Sequence, residues 1–381
     1  MYFLTLQDPN YLVKGSRDPL GFQVLWQDAG RELIPHLSTV SGNIRDFQVM
    51  ALADYCRQVF RINDRDYLPF FLCFEQLMAY TRFIESKGYD GFNGIDKVRR
   101  VMSGNDKQLS LSLNNRDQLL SSQKSYGIWG KYNRPFRDMG ISSDLRFFQT
   151  QEAKLETSKD FKQTVEKLVA KKGAPLTIAR EWPGEFEFLF AKPANDEKIC
   201  YIQYLLADNS RGELLRLTNE SPELAGMGFY EQLDILGVRT TDPAFLEQLA
   251  SLRNTERVLS PLNRIFRYLQ NKSHWTFAEL DEDMLITNWS KSAPLNGPVP
   301  LTAELAGLLD LDNRELVIGL VKRNSEVCAR RGSEPWITVT SDGIDINHFE
   351  GAFTHEGYDP LTDNDYGYFL NTWFHIYRQL N

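Results

Sequence analysis

Between Asp66 and Lys87 the chain carries Phe70, Phe71, Leu72, Phe74, Leu77, Met78, Phe83 and Ile84 at helical spacing. Apolar side chains this dense cover most of a helix's circumference, so other elements must enclose it. Lys87-Gly88 ends the run as a basic last turn followed by a glycine stop. Asn43–Phe60 is a second helix, with Ile44, Phe47, Val49, Met50, Leu52, Tyr55 and Val59 over more than one stripe. Asp18-Pro19 reads as a helix start running to Gly30, after extended pieces at Tyr2–Leu6 and Tyr11–Val13. Residues 1–90 are therefore expected to form a helical block with an aromatic core.

Beyond Gly94 the pattern loosens. Ile95–Met102 is a short basic helix, Leu109–Leu113 alternates as a half-buried strand, and Asp117–Lys124 is another short helix. This order fits a winged-helix-like basic module over 91–150 or an irregular α+β insertion. Residues 152–172 read as one amphipathic helix; Phe186–Phe190 and Ile199–Leu206 read as two strands. Helices follow near 221–236, 243–252 and 254–271, giving a middle helical region with a short sheet over 151–286. Residues 287–300 hold three prolines and a glycine and are the linker candidate. In 301–381, a helix over Asn313–Arg331, a hairpin about Ser341-Asp342-Gly343 and a last helix over Asn364–Leu380 make a helix–hairpin–helix region. The fold class expected is α+β, predominantly helical. At 381 residues, two or three domains are expected.

Charge is unevenly divided. Residues 1–150 hold 19 Lys and Arg against 16 Asp and Glu, and residues 151–381 hold 24 against 35. Within 91–150 the ratio is 10 to 5, with Tyr126, Trp129 and Tyr132 interleaved. Basic side chains neutralise phosphates and aromatic faces stack on bases, so this segment is a candidate nucleic-acid surface or a solvated face over buried aromatics. The residues chosen for phosphate contact are Lys97, Arg99, Arg100, Lys131, Arg134 and Arg137. An acidic stretch, 342–367, has seven carboxylates, His348 and His355, and no Lys or Arg. Its spacings match no zincin, so a solvated loop or a docking surface for a basic partner is the reading preferred over a metal site.

No P-loop, dinucleotide glycine fingerprint or Gly-x-Ser-x-Gly elbow is present. Asp144 with Glu152-Ala-Lys154 has the order of a metal-dependent nuclease, but it opens a helix-periodic stretch where a buried strand is required. Cys56, Cys73, Cys200 and Cys328 are scattered and form no Cys-x-x-Cys pair, so reduced core thiols are expected. No run of about 18 apolar residues suggests a membrane span, and no secretory signal is visible, so the cytoplasm is the expected location. No catalytic residue, metal or cofactor is assigned.

Three stretches carry a resemblance: Lys14–Trp26 (KGSRDPLGFQVLW), Gln123–Tyr132 (QKSYGIWGKY) and Arg331–Trp336 (RGSEPW). They resemble proteins encoded beside ATPases and nucleases in bacterial anti-phage and anti-plasmid operons, in particular the non-ATPase, non-nuclease subunit of Lamassu-type systems. The resemblance implies a non-catalytic subunit of a defence complex, with an SMC-like ATPase and a nuclease as partners and double-stranded DNA as a possible contact. It carries no catalytic residue. Gly15–Gly21 and Gly127–Tyr132 are read as tight backbone packing. A metal-dependent nuclease and a scaffold that never touches DNA are the alternatives.

Overall fold

The computed structural model describes residues 18–190, 193, 195–207, 209, 210, 212–291, 295, 302–349 and 357–381. In chain order the helices begin with α1 (Phe22–Leu33), α2 (Ile44–Val59), α3 (Asp64–Glu85) and α4 (Ile95–Ser103). Strand β1 (Gln108–Leu111) precedes α5 (Gln123–Tyr126), α6 (Ile128–Asp138), α7 (Leu145–Thr157) and α8 (Lys159–Lys171). Then come β2 (Leu176–Ala179), α9 (Asn195–Leu205), α10 (Glu213–Glu220), α11 (Phe229–Arg239) and α12 (Pro243–Tyr268). The chain continues through β3 (His274–Thr276), α13 (Phe277–Asp281), α14 (Met284–Lys291), α15 (Ala303–Ala306) and α16 (Asn313–Arg331). It closes with β4 (Ile337–Val339), β5 (Gly343–Ile346) and α17 (Leu370–Leu380). The fold is α+β and predominantly helical.

Two units result, neither of them a continuous stretch: one joins the chain up to Leu33 to Arg216–Tyr368, the other joins Ile34–Leu215 to Phe369–Asn381. The five consecutive segments expected from composition do not follow this division. The second unit is built around α3, as its density of phenylalanine requires. Phe70, Phe71 and Phe74 are buried, and Phe74 meets Phe161 of α8, which meets Phe186 at 5.1 Å. Arg82, 2% exposed, is held by Asp46 at 2.6 Å and by Asp90, with the Phe92 ring 5.0 Å from its guanidinium. A buried arginine tolerates this setting because two carboxylates and a ring face replace its water.

The first unit centres on α12 and α16, where Val258, Leu262, Phe266, Leu316 and Leu320 are buried, with Trp336 before β4 packed into the same core. Glu256 of α12 is fully buried and accepts hydrogen bonds from Trp26 Nε1 at 3.0 Å, Tyr368 OH at 2.7 Å, Tyr366 N at 3.2 Å and Asp365 N. Burial pushes this carboxyl up to about 7, against those hydrogen bonds. Asp365 in turn accepts from Asn263 and Arg264, and Tyr358 OH bonds Ser260, so the end of the acidic stretch is tied to α12.

Several expectations are corrected. The lone strand of 91–150, β1, pairs antiparallel with β2, Leu109 opposite Ile178, so this segment is no self-contained winged-helix-like module. Phe186–Phe190 is a 3-10 helix, and Ile199–Leu206 is helical through Leu205. Asn195-Asp196-Glu197 starts α9, its acidic first turn favouring a helix where period two suggested a strand. Residues 152–172 are parts of two helices, parted at Ser158, whose side chain caps α8 through Phe161 N. The expected pair at 243–252 and 254–271 is the single helix α12. Thr287–Lys291, assigned to the linker, is the end of α14; residues 292–294 and 296–300 lie outside the described residues. The hairpin β4–β5 is present, with β3 added on the other side of β5.

Two of the stretches that carry the resemblance meet in the first unit. Asp18 pairs with Arg331 at 3.2 Å, and Asn324 bridges Pro19 O and Trp336 N. Gly21 takes φ +68° against Val327, which explains a glycine there. Lys14–Arg17 lie outside the described residues.

Candidate nucleic-acid interface

Helix α4 is mounted by one buried side chain, Val98, on its α3-facing side. Its N-terminus is set by Gly94 at φ +91°, where an added Cβ would lie 2.8 Å from Leu119 Cβ. Lys97 is thereby left half-buried, with Arg99 and Arg100 exposed. Arg99 pairs with Asp96 at 2.8 Å, whereas Lys97 and Arg100 have no carboxylate partner among the described residues.

The turn after α4 adds two more cations. The β1–β2 ladder runs on to Arg180, whose N–H donates to Lys107 O at 3.0 Å. The Arg180 guanidinium donates to Gly104 O at 2.5 Å and Asp106 O at 3.1 Å. Both carbonyls lie just past the C-terminus of α4, where the helix dipole also favours positive charge. Lys107 and Arg180 are thus held at the C-terminal end of α4, the helix that carries Lys97, Arg99 and Arg100. Arg180 was missed in the sequence because it lies outside the basic segment; only strand pairing brings it there. Its one local signal is the alternation over Leu176–Ile178.

Lys131, Arg134 and Arg137 belong to a different helix, α6. Tyr132 and Phe136 bury its other face, Tyr132 meeting Phe47 of α2 edge-on at 4.9 Å and accepting from Asn43 N. Arg134 and Arg137 both reach Asp138, at 3.2 and 3.6 Å, so this set is partly neutralised by one carboxylate. Arg137 also borders a hollow of about 360 Å³ with Asp54 and Arg57. No ion pair or hydrogen bond among the described residues joins the α4 and α6 sets. The expected stacking aromatics are mostly used in packing: Trp129 lies against Phe71 and Tyr67 at 5.2 and 5.5 Å, Tyr132 is buried, and Tyr126 alone of the three is exposed.

Of the residues in nuclease-like order, Asp144 and Lys154 are occupied elsewhere. Asp144 caps α7 through Arg146 N and Phe147 N and accepts from Tyr204 OH, while Lys154 binds the fully buried Glu197 at 2.6 Å. Glu152 is exposed on the same helix. In the acidic stretch, His348 packs tilted against Trp336, ring centroids 4.2 Å apart, and Asp345 accepts from His274, whose pKa this hydrogen bond raises. Glu350, His355 and Glu356 lie outside the described residues. Among the described residues no three His, Cys, Asp or Glu side chains come together as metal ligands, and no helix is long and apolar enough to cross a membrane. All four cysteines are buried thiols.

No protein-family model, characterised protein or solved structure matches the chain.

Proposed function

We propose that the chain is a non-catalytic binding subunit that contacts duplex DNA through phosphates at the corner formed by α4, Lys107 and Arg180. Its place in a bacterial defence assembly with an SMC-like ATPase and a nuclease rests on the resemblance of the three stretches quoted above. The supporting observation is Arg180, fixed by two backbone carbonyls just past the end of α4 and paired through its N–H with Lys107, which like Arg100 forms no ion pair among the described residues. A cation anchored in this way loses little side-chain freedom on meeting a phosphate. Contacts of this kind position a duplex without reading its sequence.

The test is fluorescence anisotropy with a labelled duplex. Reversing Arg100 and Lys107 to Glu is expected to weaken binding by tenfold or more, on the order of the loss of two phosphate contacts. Reversing the exposed Lys322 of α16 is expected to leave it unchanged. Equal affinity for all three proteins rejects the proposed surface.

A further inference from the structure

The end of α12, Lys272, β3 and the start of α14 enclose an open groove of about 590 Å³. Trp275 forms its floor, with the Tyr268 ring 5.2 Å away and tilted. Glu279, Glu282, Asp283 and the largely exposed Met284 line it. Against three carboxylates there is one cation, Lys272, and it stands on the floor. Its ammonium lies 3.9 Å from the centre of the Trp275 ring and 2.7 Å from Glu279 Oε1.

Aromatic face plus carboxylate is the arrangement by which proteins bind cationic side chains. The same edge of the unit uses it again: Arg314 lies over Phe277 at 4.9 Å and binds Asp281. That second site is filled by an arginine making two hydrogen bonds to its carboxylate. The Trp275 site is filled by a lysine making one. An ammonium is a mobile, strongly hydrated point charge, whereas a guanidinium is a flat fork that stacks and binds carboxylates at two points. Asp283 is engaged as the cap of α14 and as acceptor from Tyr268 OH, but Glu282 makes no ion pair among the described residues. A second negative charge therefore stands beside Glu279.

We propose that this groove receives an arginine side chain from a basic segment of a partner protein, and that Lys272 is its built-in stand-in. The incoming guanidinium stacks on Trp275 and spans Glu279 and Glu282, and its stem lies along Met284. Lys272 swings into solvent. The proposal is independent of the DNA-binding corner.

The experiment titrates the full chain with a synthetic arginine–glycine repeat peptide and a glutamate–glycine peptide of the same length, followed by calorimetry. Of the two peptides, only the arginine peptide is expected to bind. Glu282→Lys is expected to weaken it by about tenfold, as for charge reversal at a close pair, while Glu326→Lys on the exposed face of α16 changes it little. Lys272→Ala is expected to tighten binding by about threefold, since the competitor is gone. Equal losses in Glu282→Lys and Glu326→Lys would mean general attraction to an acidic unit and overturn the proposal. So would weaker or unchanged binding in Lys272→Ala, or binding of the glutamate peptide in place of the arginine peptide.

Discussion

Glu75 is a carboxyl buried in the second unit beside two neutral donors. Its oxygens accept from Ile128 N at 2.7 Å and Gln123 Nε2 at 2.8 Å. Burial pushes its pKa from 4.5 up to about 7, with Asp46 adding to the rise. The folded chain therefore holds a proton on Glu75 over a range in which the unfolded chain has lost it. Stability falls as pH rises from about 4.5 to about 7 and is level in this contribution above that. Glu75→Gln is expected to flatten the fall by up to about 3 kcal/mol across that window, read by urea denaturation at a series of pH values. Glu256 acts with the same sign, so part of the slope remains. A slope unchanged by the substitution contradicts this account. Nothing in the sequence marked Glu75: it sits inside the apolar run of α3, and its partners come from 48 and 53 residues away.

At the scale of elements, much was legible where one face is apolar and the ends are marked. Helix α16 runs from Asn313 to Arg331, as its periodicity and Arg330-Arg331-Gly332 ending predict, and the β4–β5 hairpin follows its Asp342-Gly343 turn. Failures occurred where a local signal was ambiguous. Phe186–Phe190 alternates like a strand, but buried Phe186, Leu189 and Phe190 equally suit a helical turn. Ser158 is a capping residue within a periodic run, and only its bond to Phe161 N shows that it divides two helices. The joint of α5 and α6 explains the glycines of Gln123–Tyr132. A Cβ on Gly127 would lie 2.5 Å from Gln123 O and 2.6 Å from Glu75 Oε1, and one on Gly130 would lie 2.0 Å from Ser125 O. Because the closest obstacle is the backbone at Ser125, Gly130→Ala is expected to destabilise the chain by about 3 kcal/mol in urea denaturation. A loss under about 0.5 kcal/mol, the range of neutral surface changes, contradicts the packing described.

At the scale of the whole molecule, the two units cut across the five segments expected from composition. Each unit joins segments remote in sequence: Asp18 meets Arg331, Gln379 meets Gly42, and Trp373 meets Leu206. Long-range closures of this kind leave no mark in local charge or periodicity. The same holds for the candidate DNA surface. Lys97, Arg99 and Arg100 were legible as a basic helix; Lys131, Arg134 and Arg137 belong to α6 and share Asp138; Arg180 arrives only by pairing of β2 with β1. The function proposed for the chain depends on the cations of α4, Lys107 and Arg180 meeting phosphates.

The most direct measurement is the salt dependence of duplex binding by the full chain. With Lys97, Arg100, Lys107 and Arg180 each neutralising one phosphate, log K is expected to fall with log salt at a slope of about −3 to −4. Replacing Arg100 and Lys107 by Gln is expected to bring the slope to about −2. A native slope near zero, or one the two substitutions leave unchanged, contradicts the account.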